Sequence, residues 1–410
     1  MDASNPKSFQ PHKLSYFNDA LLVHSLNFPI YHVGCISERH FIVAGGGGSS
    51  KTGVINQFNV LELVPNGNEC RADLDVRFTV PEDVPNEAIM NGAIMKDLPI
   101  FNTRFIGVGG QATIYHIKFD SQTRAFKITD YELMRSPELK CVAYSPGRIY
   151  LGGFDGTVTV WDTSNSDKRV IKKFKAHNKE VDEIDIDTIN QRFLTLSRGE
   201  ARLLIWDSNS FELVREFKKD LINNSSNKSS TSYLFRSCKF VYNRFANLNQ
   251  SKASVLLIAT IPVPQKAPSI VHRVSLQEDG STTKISNSVT NDGIMAMAVS
   301  MDGKSAAVGT RSGGVIALDL RNLKQFYRFD KAHQNNVTDL EFLPPKSESL
   351  DLTNSQTLPL ISVSMDRRVV LHRPRKPSMK LYIQLIIIVI LICVFAFSDI
   401  SFIRRPTTSE

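Results

Sequence analysis

Through most of the chain, apolar residues come in short runs that alternate with polar ones at period two. Tight turns separate the runs, and no stretch before residue 380 sustains a helical period. One unit recurs: an apolar strand, a small-residue strand, a turn, then a strand ending on an aromatic or apolar residue. Its clearest copy is Leu139 to Thr163, with CVAYSP, RIYLGGFDG and TVTVWD in succession. Ala176 to Ser208 repeats it as AHNKEVDEIDI, RFLTLSRGEA and RLLIWD. Ile294 to Leu320 and Ala332 to Pro374 are two more, with Leu318 and His372 where the first two carry Trp161 and Trp206. Asp155 to Trp161, Glu200 to Trp206, Ser312 to Leu318 and Asp366 to His372 are each six residues apart, the register of a turn and then a strand.

Cys35 to Leu63, Ile89 to Lys118 and Leu234 to Leu276 are weaker copies. The units resemble WD repeats, whose four-stranded blades close into a ring. The predicted fold is therefore all-β, a seven-bladed WD-repeat β-propeller over residues 1–374, with six or eight blades as alternatives. Seven units give about 50 residues per blade against ~40–45 in such repeats. The polar runs Lys218 to Ser232 and Lys346 to Thr357 hold the excess. A strand near Leu14 to Val23 is expected to close the ring against the last blade. His177 and His333 open two repeats, and the resemblance assigns them to buried networks: His177 with Ser197 and Trp206, His333 with Ser364 and Asp366.

The pattern changes at the C-terminal end. Leu381 to Ser398 is eighteen residues without a charge, which predicts a transmembrane helix. At the rise of a helix it spans about 27 Å, suited to the thin bilayer of the endoplasmic reticulum. Arg375, Lys376 and Lys380 fall in the basic linker 375–380, and the tail 399–410 carries only Asp399, Arg404, Arg405 and the terminal Glu410. Positive flanks point the large domain to the cytosol and the tail to the lumen. No signal peptide opens the chain and no KDEL-type ending closes it. Five widely spaced cysteines indicate neither a disulfide framework nor a zinc site, consistent with a reducing compartment. The net charge of +8 is spread along the chain and forms no nucleic-acid-binding cluster, so nucleic acid is not an expected partner.

Chemistry concentrates in the first repeat. After the strand FIVA comes Gly45-Gly46-Gly47-Gly48-Ser49-Ser50-Lys51-Thr52-Gly53, then Val54-Ile55-Asn56 and a further strand. A blade turn here needs about two to four residues. Lys51-Thr52 after a glycine run is reminiscent of a phosphate-binding loop. Ser50, however, stands in place of its second glycine, and the segment after Gly53 reads as a strand where that motif needs a helix. Four successive glycines can instead turn carbonyls toward a cation or amides toward an anion. Asn56 reads as a polar, exposed loop position.

This loop, with the propeller and the C-terminal anchor, is similar to that of the membrane-anchored exchange factors that load the Sar GTPase with GTP and start COPII coat assembly. The resemblance covers nearly the whole chain and rests on Val43-Ala44-Gly45-Gly46-Gly47-Gly48, Gly53 and Asn56. It implies a guanine-nucleotide exchange factor, a regulator without covalent chemistry, in the endoplasmic reticulum membrane and cycling toward the Golgi. It further implies a loop ordered by potassium at Gly45, Gly46, Gly47, Gly48 and Ser49, with Gly53, Val54, Ile55 and Asn56 as the exchange element. The chain departs from the family at Ser49 to Thr52 and lacks the long lumenal domain of some members. A non-catalytic propeller scaffold for trafficking proteins is the alternative, since the fold hosts many functions.

Overall fold

The structure is a computed structural model. It describes residues 19–374, except 49–52, 67–68, 80–87, 96–101, 121–124, 164–169, 219–231, 242–253, 278–279 and 345–357, together with Ile388 and Ile390. Strand β1 (Asp19–Ser25) belongs to the last blade. Blade 1 is β2 (Ile30–Cys35), β3 (His40–Gly45), β4 (Gln57–Asn66) and β5 (Glu69–Thr79). Blade 2 comprises β6 (Asn91–Met95), β7 (Asn102–Asp120) and the start of β8 (Ala125–Ser145). The end of β8 opens blade 3, which continues through β9 (Arg148–Gly153), β10 (Thr157–Asp162) and β11 (Val170–Lys175).

Blade 4 is β12 (Glu183–Asp187), β13 (Arg192–Ser197), β14 (Arg202–Asp207) and β15 (Leu213–Phe217). Blade 5 is β16 (Ser232–Val241), β17 (Ser254–Val263), β18 (Ser269–Leu276) and β19 (Thr282–Thr290). Blade 6 is β20 (Ile294–Val299), β21 (Ser305–Thr310), β22 (Val315–Asp319) and β23 (Gln325–Phe329). Blade 7 is β24 (Val337–Phe342), β25 (Leu360–Ser364) and β26 (Arg368–Arg373), completed by β1. The predicted seven-bladed, all-β ring is the observed one.

Blades 2 and 3 share one hydrogen-bonded sheet because β7 and β8 each serve twice. Phe105 and Tyr115 both lie on β7, yet their rings stack at 6.0 Å between centroids, so the chain reverses between them. Strand β8 pairs first with β7 and then with β9, with a break at Glu138, whose φ is 40°. Closure matches the expectation with a shifted start: β1 pairs antiparallel with β26 from Asp19↔Arg373 to Ser25↔Arg368. Residues before Asp19 lie outside the described ones. Pairing the first strand with the last blade ties the two ends of the ring together.

Small residues in each second strand let blades approach. A Cβ on Gly309 would come within 2.4 Å of Val337, and one on Gly152 within 2.9 Å of Val181, in each case on the following blade. Burial on both faces explains why SAAVGT of β21 is buried at all six positions. Side chains stitch the innermost strands around the axis. Asp339 accepts from the Val33 N–H and the His32 ring, at 3.1 and 2.8 Å. Glu183 accepts from the Ser237 hydroxyl and the Cys238 N–H, both at 3.0 Å, and Asp185 from the Phe240 N–H at 2.7 Å. Burial alone would push Lys239 down, but Glu183 and Asp185 more than offset it and hold its ammonium above the ordinary lysine range.

The two histidine networks exist, with a correction. His177 donates or accepts through Nε2 to Thr195 at 2.9 Å, and Trp206 Nε1 donates to the same hydroxyl at 3.0 Å. Ser197, the predicted partner, has a buried hydroxyl that makes no hydrogen bond. In blade 7, His333 reaches Asp366 as expected, at 3.2 Å, but its other nitrogen meets Ser362 at 2.8 Å, and Ser364 bonds to the Asn336 carbonyl. Thr195 and Ser197, like Ser362 and Ser364, are two apart and share a face, so strand periodicity cannot separate them. Register does: Phe193 is opposite Trp206, which leaves the indole diagonal to Thr195.

Of the predicted span 381–398, only Ile388 and Ile390 are described; both are helical and about half exposed. Among the described residues, no helix is long and apolar enough to cross a membrane. The linker, the tail and the rest of the span therefore lie outside the described residues.

Candidate functional site

Strand directions alternate within each blade, so the turns between second and third strands and the links between blades share one face. The glycine loop joins β3 to β4 on that face. Its entry is fixed by backbone: Ile30 pairs with Gly45, and Gly46 N–H donates to the Pro29 carbonyl at 3.1 Å. A Cβ on Gly45 would lie 2.0 Å from that carbonyl oxygen, so only glycine fits. Gly46, Gly48 and Gly53 have φ of 142°, 70° and 74°, conformations that favour glycine.

Asn56 organises the rest. Its Oδ1 accepts the Gly48 N–H at 2.9 Å, and its Nδ2 donates toward the Gly48 carbonyl at 3.4 Å. It is 2% exposed, against the expectation of an exposed side chain. The reason is local: the loop folds back over its own exit, and Gly46 lies so close that a Cβ there would be 2.2 Å from Asn56 Oδ1. Val54 packs against the core shared by blades 7 and 1. Ile55 points outward and is 55% exposed. The predicted exchange residues thus divide: Val54 and Asn56 anchor, while Gly53 and Ile55 face solvent. Gly45, Gly46 and Gly48 are brought together with Asn56, and Ser49 lies outside the described residues.

None of the residues around the loop was among the expected site residues. Met90, Phe154 and Met365 are exposed on the same face, on blades 2, 3 and 7 or the links to them. Phe154 stands in the β9–β10 turn beneath the Lys140 ammonium, 5.4 Å from its ring centroid. An aromatic at a turn position was the available signal. Met90 and Phe154 also rim a central cavity of about 870 Å³ that is lined by the innermost strands. Among the described residues, no group of histidine, cysteine and carboxylate side chains is arranged to hold a metal.

This architecture is a seven-bladed β-propeller, and within it the WD domain, G-beta repeat family matches residues 134–162. Crystal structures of Sqt1 from Chaetomium thermophilum share the fold: one has a TM-score of 0.56 at 16% identity, covering 88% of this chain and 84% of its own. Another, bound to the N-terminus of ribosomal protein L10, has a TM-score of 0.55 at 14% identity, covering 87% and 98%.

More specifically, the chain is similar to the guanine nucleotide-exchange factor SEC12 of Rattus norvegicus, 22% identical over 90% of this chain and 94% of that protein. The SEC12 of Mus musculus is 23% identical over the same shares. Human protein NEDD1 is 23% identical over 52% of this chain and 34% of its own length. The resemblance to exchange-factor propellers read from the residues is borne out.

Proposed function

We propose that the chain is a guanine-nucleotide exchange factor for a Sar-type small GTPase, acting at the endoplasmic reticulum membrane to start COPII vesicle formation. The observation that carries this reading is the first-blade loop, whose entry is clasped at Gly48 by Asn56 while its exit presents Ile55 outward. The near full-length similarity to proteins named as exchange factors supports it.

Exchange requires only that the nucleotide-free GTPase be bound better than the GDP-bound form. Clasping the two ends of the loop suits this, because it lowers the entropy lost on docking. Ile55 would enter the GTPase near its nucleotide, with Gly53 allowing close backbone approach. Val54 and Asn56 would hold the loop against the thrust. Met90, Phe154 and Met365 supply apolar area on the same face. Gly53 and Ile55 thus keep the exchange role implied by the resemblance, while Val54 and Asn56 move from contact to support.

The loop also fits potassium by its donor chemistry. Between Gly45 and Asn56 there is no carboxylate; beside Lys51, Val54 and Ile55 the segment offers backbone carbonyls, hydroxyls and one amide, a neutral oxygen set that suits a monovalent ion. Gly45 and Gly46 leave no room for a Cβ, as expected of a cradle built from backbone. Carbonyls of Gly45, Gly46, Gly47, Gly48 and Ser49 would hold the ion. When bound, it would offset repulsion among those oxygens and keep the loop in one shape.

The test is GDP release from a Sar GTPase and from an unrelated small GTPase, catalysed by residues 1–374. Faster release from Sar alone supports the proposal. No acceleration of either assigns the protein to the scaffold class.

A further inference from the structure

The segment leading into and forming the outer strand of blade 3 carries a pattern that nucleotide exchange does not use. Lys168 to Lys175 reads KRVIKKFK, five basic residues with no acid, of which Val170 to Lys175 form β11. Val170, Ile171, Lys172, Lys173 and Lys175 of β11 are all exposed. Lys175 donates to the Asp155 carbonyl, and Lys173 acts on the Asp155 carboxylate through space. Lys172 has no ion-pair partner among the described residues. The next blade extends the patch with exposed Leu213 and Val214 on β15. Val170 and Leu213 sit at the same height, each opposite the tryptophan of its blade. Of the carboxylates on or beside β15, Glu216 is neutralised by Arg202 at 2.8 Å and Lys218 at 3.5 Å, while Glu212, directly before Leu213, is exposed.

Position adds to composition. Third strands run away from the loop face, so β11 and β15 both begin on the opposite face. Strand β26 is a third strand, and the chain leaves the ring at Pro374 on that same opposite face. Six residues, including Arg375, Lys376 and Lys380, then lead to the apolar segment. Six extended residues reach about 20 Å. A bilayer holding that segment would therefore lie beneath the face on which the basic rim begins.

We propose that the rim of blades 3 and 4 docks on an anionic lipid bilayer, with Lys172 and Lys173 on lipid phosphates. Val170, Ile171, Leu213 and Val214 would sit at the headgroup boundary. A plane can touch both edge strands at once, and interleaved lysines and aliphatic side chains match a surface that is charged above and apolar below. The proposal rests on the membrane-anchored reading for its orientation. In that orientation the glycine loop faces the cytosol, open to a GTPase.

The ring is closed by β1 against β26, so its cores need nothing beyond Pro374. Residues 1–374 can therefore be tested without anchor or basic linker, by flotation with phosphatidylcholine vesicles and with vesicles containing about 30% phosphatidylserine. Flotation is expected with the anionic vesicles only, and high salt should reverse it. Lys172→Glu combined with Lys173→Glu should weaken it by about tenfold or more at unchanged melting temperature. Val170→Ser with Leu213→Ser should weaken it too. The proposal is overturned by equal flotation on neutral vesicles, by none on anionic ones, or by a charge-reversed variant that floats like wild type. Capture by poly-glutamate with vesicles left unbound would overturn it in favour of an acidic protein partner. GDP release in solution reads the exchange proposal separately, so either can fail alone.

Discussion

Asn56 and Gly48 form a two-point clasp: the amide oxygen of one takes the backbone N–H of the other at 2.9 Å, and the amide nitrogen returns toward its carbonyl. Asn56→Ala would leave a Gly48 N–H without that acceptor in a nearly closed site. The expected cost is about 1–3 kcal/mol, more than an ordinary surface change. Urea denaturation of residues 1–374 measures it; a change within about 0.5 kcal/mol would mean that the clasp holds nothing. Gly46→Ala should have a similar effect, because its Cβ would collide with Asn56.

Thr195 joins His177 to Trp206 in blade 4. Thr195→Ala removes the shared hydroxyl and leaves two buried groups short of a partner, for an expected loss of about 2–4 kcal/mol. Ser197→Ala should cost almost nothing, since that hydroxyl is already without a partner. Comparing the two denaturation midpoints decides which residue completes the network. The reverse ranking would restore the assignment suggested by the sequence.

His372 stands where two other blades carry tryptophan and bonds to Tyr327 at 2.7 Å and Ser362 at 2.8 Å. Burial, with a smaller contribution from His333, pulls its pKa from 6.5 down to about 3. Burial takes His272 down to about 4. The unfolded chain therefore binds more protons than the folded one between these values. The stability of the neutral histidines is fully present above pH 6.5 and falls as the pH drops through the window toward 3. Melting temperature should already decline between pH 7 and about 5, before carboxylates titrate. His372→Gln should flatten that decline; an unchanged slope would remove His372 from the cause.

Blade count and ring closure were legible because they depend on local pattern: a six-residue turn-to-strand spacing, small residues in second strands, and an unpaired apolar strand at the start. The pattern could not supply register. It placed Ser197 and Ser364 on the correct face but not at the correct height, and those two-residue errors separate a network member from a bystander. In the loop, the glycines were visible and their purpose was not. Only the fold shows that Gly45 yields to Pro29 and Gly46 to Asn56, and that alternation along Val54-Ile55-Asn56 turns the isoleucine outward and the asparagine in. Phe154 and Met90 were missed because the repeat pattern, which does place these turns of all blades on one face, does not say which residues are exposed there.

Ile55 offers the most direct test of the exchange reading, because it is exposed and can change without disturbing the clasp beneath it. Release of labelled GDP from a Sar GTPase would be followed with wild-type residues 1–374 and with Ile55→Asp, after confirming equal melting temperatures. The expected result is acceleration by wild type and a loss of about tenfold or more in the variant, a change of about 1.4 kcal/mol in the transition state. Equal acceleration by both proteins would contradict the assignment of exchange to this loop.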